Sequence, residues 1–317
     1  MRDSFGREIT CLRLSVTDRC GLRCRYCVPA EGVCGLPRDR QMTEDEMIAA
    51  VEAAASIGIR RVRITGGEPL TERNILRICG RTAAVEGIEE LALTTNGILL
   101  PELAAELREA GVSRVNISLD SLRPDRYAWI TRTGKLEDAL RGIDAALQAG
   151  FEKVKINCVL IGGFNDDEIP DLARLTLRMP VDVRFIELMP MPGTGDFGPE
   201  AYLPVSAVRD RLPEAELLPD REGVSSLMRL PGALGRIGLI SPVSCSFCDE
   251  CNRLRLTADG YLKPCLHSRE EILIRGMDRE GMVAAMKEAI ARKPRQHEPL
   301  SAAEKSHSAR GMSRIGG

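Results

Sequence analysis

Six short runs of β-branched and apolar residues recur through the first half of the chain: Cys11–Val16, Val62–Thr65, Leu91–Thr94, Arg114–Leu119, Val154–Leu160 and Asp182–Leu188. They read as strands, and the segments between them carry helical periodicity. Thr43 has Glu46 three residues on, a capping box that opens a helix. Met47, Val51, Ala54 and Ile57 then form one apolar stripe, and Gly58 supplies the stop. Further helices are predicted near Glu72–Ala84, Pro101–Ala110, Lys135–Ala149 and Asp166–Arg178. Gly111 and Gly150 follow two of these closely, as helix terminators should.

Strands alternating with helices predict an α/β fold with a parallel sheet of βα units. Ligands of such sheets and barrels bind at the C-terminal ends of the strands. The chemistry-bearing loops fall there: the loop after Val16, Gly66–Pro69 (GGEP), Thr94–Gly97 (TTNG), Ser118–Asp120 and Glu187–Met189. From Pro190 the pattern changes to a Pro/Gly-rich stretch and then a smaller, less regular region. Leu239–Ile240 and Arg253–Thr257 are its candidate strands. The expected division is 1–190 and 191–317, with a polar tail after Pro294 and no long-period repeat.

Composition narrows the class. The chain has 317 residues and a formal charge of −2, which excludes a polyanion binder driven by net charge but leaves room for a local basic pocket. Aromatics are 3%, too few for single-strand stacking platforms, so no nucleic-acid partner is expected. No apolar run approaches a membrane span, and residues 1–10 lack the apolar core of a secretory signal. A cytoplasmic location is therefore expected. There, 11 cysteines are metal ligands or catalysts more often than disulfides.

Cysteine spacing is the informative feature. Cys20, Cys24 and Cys27 form C-x3-C-x2-C directly after the first strand. Cys248, Cys251 and Cys265 form C-x2-C-x13-C in the second region. Close-set thiolates suit zinc or iron–sulfur clusters. No histidine lies near the first trio in sequence, whereas Cys245 and His267 offer a fourth ligand beside the second. A four-iron cluster on three thiolates leaves one iron open, which is a reactive arrangement. Cys11, Cys34, Cys79 and Cys158 stand singly and read as packing or incidental residues.

The C-x3-C-x2-C motif with Tyr26, followed by the GGEP loop, resembles the radical S-adenosylmethionine superfamily. The second half narrows the likeness. Phe247–Gly260 (FCDECNRLRLTADG), Cys265–Leu266, Ile64–Leu70 (ITGGEPL), Leu93–Gly97 (LTTNG), Val115–Asp120 (VNISLD), Val154–Asn157 (VKIN), Asn165–Glu168 (NDDE), Arg184–Glu187 (RFIE) and the terminal Gly316–Gly317 resemble the GTP 3′,8-cyclase family. The resemblance runs from Ile9 to Gly317.

It implies an incomplete (βα)6 TIM-type barrel with a smaller C-terminal region closing its open side. It implies two [4Fe-4S] clusters, one on Cys20, Cys24 and Cys27 and one on Cys248, Cys251 and Cys265. Tyr26, Gly67, Ser118 and Met189 match S-adenosylmethionine contacts. Arg13, Arg63, Thr94, Lys155, Arg253, Leu254 and Arg255 match GTP-binding positions, and Arg184, a charge in an apolar strand, is a further candidate. Arg253, Arg255, Gly316 and Gly317 match positions tied to catalysis. The implied activity is a lyase reaction of molybdenum cofactor biosynthesis: reductive cleavage of S-adenosylmethionine, hydrogen abstraction from C3′ of GTP, and closure of C3′ onto C8. The implied partners are GTP, an electron donor, a downstream pterin-forming enzyme and a second copy of the chain in a homodimer; no membrane is among them. Val28, Arg61 and Cys245 depart from the family pattern, as does the short stretch from Cys27 to Thr43. The competing readings are a radical S-adenosylmethionine peptide-maturing enzyme with an auxiliary cluster, and a zinc-bound interaction protein.

Overall fold

The six runs form six consecutive parallel strands: β1 Cys11–Ser15, β2 Arg61–Thr65, β3 Glu90–Thr95, β4 Arg114–Ser118, β5 Lys153–Leu160 and β6 Val181–Glu187. A computed structural model describes residues 1–32, 34–192, 197–301 and 305–316. The crossovers carry α1 Glu44–Ser56, α2 Ile75–Ala83, α3 Leu100–Glu109, α4 Pro124–Thr131, α5 Leu136–Gln148 and α6 Ile169–Arg178. The predicted helix at 166–178 begins as a short 3-10 turn, Asp166–Glu168, before α6. The short α4 was not predicted.

Period-two alternation divides each strand between two environments. Leu12, Leu14, Ile64, Leu93, Val115, Ile117, Ile156 and Phe185 point toward the helices and are fully buried in one core. Each such side chain contributes roughly 1.5–3 kcal/mol of burial. The opposite face carries polar residues in register. Arg255, Arg13 and Arg63 stand side by side on three strands, and Thr94, Asn116 and Lys155 on the next three.

The less regular second region adds strands to both edges of this sheet. It contributes α7 Ser206–Arg211, β7 Glu216–Glu222, β8 Ser225–Arg229, β9 Ile237–Ile240, β10 Arg253–Leu256, β11 Tyr261–Lys263, β12 Ile272–Leu273, α8 Arg279–Ala291 and α9 Met312–Ile315. The strand order is β12-β11-β10-β1-β2-β3-β4-β5-β6-β9-β8-β7. β10 runs parallel beside β1 and β9 parallel beside β6, so both expected strands flank the six-stranded wall. The result is a partial barrel whose inner face holds one cavity of about 410 Å³. Among the described residues, no helix is long and apolar enough to cross a membrane.

The capping box forms and has a second use. The Glu46 N–H donates to Thr43 Oγ1 at 3.2 Å, and the Thr43 N–H to Glu46 Oε2 at 2.7 Å. Glu46 Oε1 also accepts from the Gly276 N–H at 3.0 Å, joining α1 to the segment before α8. Thr43→Ala should lower unfolding stability by about 1 kcal/mol in urea titration. Glu46→Ala should cost more, because it also releases Gly276; equal losses would contradict this double role.

Candidate active site

The loop after β1 is fixed to α4. The Arg23 and Arg25 N–H groups donate to the Thr131 and Ile130 carbonyls, and Arg132 Nη1 donates to the Arg23 and Val28 carbonyls at 2.8 and 3.0 Å. Arg132 is the one non-glycine with positive φ among the described residues, at 62°. A left-handed arginine is uncommon, and here it follows α4 directly, with its guanidinium holding the cysteine loop. Within the loop, the Cys27 N–H donates to the Cys24 carbonyl at 2.8 Å, turning Cys20, Cys24 and Cys27 toward one end of the cavity.

The GGEP loop is pressed against the same segment. The Gly67 N–H donates to the Thr17 carbonyl at 2.8 Å and the Glu68 N–H to the Arg19 carbonyl at 2.6 Å. A Cβ on Gly67 would lie 2.3 Å from the Arg19 carbonyl oxygen, so only glycine permits this approach. Glu68 turns inward and accepts from Thr95 Oγ1, the Asn96 N–H and the Leu70 N–H. Burial pushes its carboxyl up to about 7 despite those bonds. Tyr26 donates to Asp120 Oδ2 at 2.6 Å, and the Val159 N–H to Asp120 Oδ1. Burial raises Asp120 to about 6. Tyr26, Gly67, Ser118 and Met189 all line this end of the cavity.

Cys248, Cys251 and Cys265 line the cavity as well. Lys293, two residues past α8, holds their segments by donating to the Arg253 and Pro264 carbonyls at 2.8 and 2.6 Å. His267 and His297 stack edge to face beside them, 4.8 Å between centroids. The two trios differ electrostatically. Burial drives Cys24 and Cys27 up, Cys27 to about 12, and neighbouring thiols and Asp120 push the same way. Burial also opposes Cys248 and Cys251 as thiolates, but a His297 hydrogen bond brings Cys248 down to about 7, and Lys293 with Arg253 lowers Cys251. Cys265 stays raised by burial. Among the described residues, no three His, Cys, Asp or Glu side chains converge on a single-ion site. Each trio offers soft thiol donors on the cavity wall, a donor type that suits zinc or an iron–sulfur cluster.

Between the trios lies a band of guanidinium groups. Arg13, Arg63, Arg253 and Arg255 line the cavity. Burial lowers Arg13 well below the usual range, and Arg255, Arg253 and Arg63 add repulsion. Burial brings Arg63 and Arg255 to about 10. Among the described residues, none of the four has a carboxylate partner; Arg253 lies over the Phe247 ring, and Arg255 Nη1 donates to the Gly316 carbonyl at 2.6 Å. Arg255 is buried and the other three are half-buried. Close-set cations without a carboxylate partner are costly, so this band calls for an anion.

Other expected residues are placed differently. Thr94 and Arg184 line the cavity. Lys155 is fully buried and paired to carboxylates, with Glu222 Oε1 at 2.5 Å and Asp182 Oδ2 at 3.8 Å. The Leu254 side chain faces the helix layer, because it alternates with Arg253 and Arg255 on β10. Gly316, with φ of 85°, sits against Ser15 and Thr65; Gly317 lies outside the described residues. Sequence reasoning missed Glu222, Lys293 and His297. Glu222 ends an exposed, polar-patterned strand, and Lys293 lies just past a helix C-terminus, so neither carried a local signal.

The comparisons decide the family. Residues 14–176 match the radical SAM superfamily, and residues 181–299 match the family described as Molybdenum Cofactor Synthesis C. A GTP 3′,8-cyclase of Alkaliphilus oremlandii is 45% identical over 323 residues, covering 100% of both chains. One of Pelotomaculum thermopropionicum is 46% identical over 328 residues, again covering 100% of both. The chain belongs to the GTP 3′,8-cyclase family. Its radical SAM part places S-adenosylmethionine and an iron–sulfur cluster among its cofactors. The relatives set it with the cyclases and give no support to the peptide-maturing reading. Solved structures show the same fold at low identity. Streptococcus suis SuiB bound to S-adenosylmethionine gives a TM-score of 0.62 at 13% identity, over 84% of this chain and 63% of that one. Native anSMEcpe with bound AdoMet gives 0.59 at 14%, over 92% and 82%.

The raised Glu68 makes a pH prediction for this cyclase-family chain. A carboxyl whose folded pKa lies above its unfolded one holds its proton longer in the folded state. Its contribution to stability is full below the unfolded pKa near 4.5 and is lost as pH rises through about 7. Glu68→Gln should flatten the fall in stability across that window, read by urea unfolding at stepped pH. An unchanged slope would contradict the assignment.

Proposed function

We propose that the chain converts GTP to (8S)-3′,8-cyclo-7,8-dihydroguanosine 5′-triphosphate, a lyase-type cyclisation that is the first step of molybdenum cofactor biosynthesis. The observation that carries the reading is that two thiol trios share one cavity with a guanidinium band between them that has no carboxylate partner among the described residues. A triphosphate supplies the missing anion, through charge-assisted and bidentate bonds. Arg13, Arg63, Arg253 and Arg255 bind it. Cys20, Cys24 and Cys27 hold a [4Fe-4S] cluster, and Tyr26, Gly67, Ser118 and Met189 border the S-adenosylmethionine. When bound, these two groups supply the one-electron and hydrogen-abstracting chemistry that the side chains lack. Cys248, Cys251 and Cys265 hold a second [4Fe-4S] cluster.

The chain's own residues orient and shield. Asp120 fixes Tyr26 beside the first trio, and Glu68 fixes the GGEP loop against the cysteine loop. The walls of apolar and hydrogen-bonded side chains limit water around the ribose, which protects an open-shell substrate. Arg255 and the Gly316 carbonyl couple the tail to the triphosphate band. The reaction needs an external one-electron donor in the cytoplasm, and its product passes to a pterin-forming enzyme; a homodimer is the expected assembly.

Cys24→Ala should abolish 5′-deoxyadenosine formation in anaerobically reconstituted protein. Arg63→Ala and Arg253→Ala should weaken GTP binding by about tenfold or more at unchanged iron content. Normal cleavage in the first variant, or iron loss in the other two, would overturn these roles.

A further inference from the structure

The β7–β8 hairpin carries an anion of its own into the cavity. Its tip, Glu222, Gly223 and Val224, lines the cavity, while the rest of β7 is largely exposed. The Glu222 carboxylate meets five cations. Lys155 Nζ lies at 2.5 Å, Lys153 Nζ at 3.1 Å and Arg114 Nη1 at 3.7 Å from Oε1; Arg184 Nη2 and Arg236 Nη2 lie at 3.2 Å from Oε2. Asp182 and Glu90 also serve this cluster, through Lys155, Arg236 and Arg114. Asp220 adds a weaker attraction on Arg236, so among the described residues five cations face four carboxylates and the cluster is short of negative charge.

The contrast with the neighbouring band is informative. Arg13, Arg63 and Arg253 lack a carboxylate partner among the described residues, yet they share the cavity with Arg184, whose partner is Glu222. Lys155 lies on the inner face of the sheet but is fully buried and does not line the cavity, whereas Glu222, bonded to its ammonium, does. Glu222 therefore sits on top of the cradle, between its cations and the space a ligand would occupy. A carboxylate offers two oxygens and one charge. A terminal phosphate offers three oxygens and more charge, so the cradle favours the phosphate when both compete.

We propose that Glu222 is a stand-in for the terminal phosphate of the substrate, occupying the Lys155–Arg184 cradle in the free protein and giving way when that phosphate arrives. The inference rests on the GTP reading above. It makes Glu222 a positioning and specificity-determining residue. The competing carboxylate keeps buried Lys155 paired until substrate binds, and only a nucleotide long enough to reach the cradle encounters it. A shorter nucleotide bound on the arginine band leaves Glu222 in place. The Arg221–Glu250 ion pair at 2.6 Å ties the same hairpin tip to the turn that holds Cys248, so displacement is communicated toward the second thiol trio.

The test is equilibrium binding of GTP and GDP by anaerobic calorimetry to reconstituted wild-type protein, Glu222→Gln and Glu216→Gln. Glu216 lies on the same hairpin, at its exposed end, and controls for net charge. Glu222→Gln should tighten GTP by about tenfold and GDP by less than about twofold, since only GTP is relieved of the competitor. Glu216→Gln should move neither. Weaker GTP binding in Glu222→Gln, or equal tightening of both nucleotides, would overturn the proposal. Failure of the wild type to bind GTP would instead overturn the function reading. Should Glu222→Gln fold poorly, hydrogen exchange on the wild type reads the same event. GTP should speed exchange across residues 216–229 relative to GDP, and equal protection by the two nucleotides would contradict displacement.

Discussion

Guanidinium groups crowded inside the cavity, with no carboxylate partner among the described residues, are the constraint on which the rest of this structure depends. Arg13, Arg63 and Arg255 stand next to one another on β1, β2 and β10 because parallel register aligns them. Each alternates with a leucine, isoleucine or valine that the helix layer buries, so the arginine cannot turn outward without exposing its neighbour. The packing that makes the barrel wall thus forces like charges together inside it. The free energy to hold them there comes from the apolar face. What would offset their repulsion is an anion, and no carboxylate among the described residues pairs with this band.

The remaining elements serve that band from its two ends. At one end the Gly67 approach and the Glu68 hydrogen bonds lock the loops after β1, β2 and β3 into one body carrying Cys20, Cys24 and Cys27. At the other end Lys293 fastens the segments carrying Cys251 and Cys265. Glu187 adds a similar fastening, accepting from the Val205, Val243 and Ser244 N–H groups and from the Ser244 hydroxyl. Long-range pairs such as Glu46 with Gly276 then hold the C-terminal segments to the wall.

Much of this was legible in the sequence, for physical reasons that differ by region. The six parallel strands were legible because apolar runs, glycine stops and a true capping box are local signals. The two cysteine trios were legible because short cysteine spacings are themselves a local signal. The second region was harder to read. Its strands β9 and β10 are short and take their stability from pairing with β6 and β1, which no local pattern announces. Lys155 read correctly as a buried charge in an apolar strand, but its partner Glu222 lies 67 residues on, in an exposed hairpin. Leu254 showed the opposite limit: the motif placed it beside two arginines, and strand alternation turned its side chain into the core.

The central claim is that one cavity joins two iron–sulfur sites and a triphosphate band into a single reaction chamber. The most direct measurement is anaerobic reconstitution with iron and sulfide counting, then incubation with dithionite, S-adenosylmethionine and GTP. 5′-Deoxyadenosine and the nucleotide product are followed by mass. The account predicts two four-iron clusters per chain and 5′-deoxyadenosine that depends on GTP, matched by a cyclised dihydroguanosine triphosphate. Cleavage of S-adenosylmethionine that leaves GTP unchanged, or a single cluster with full cyclisation, would contradict it.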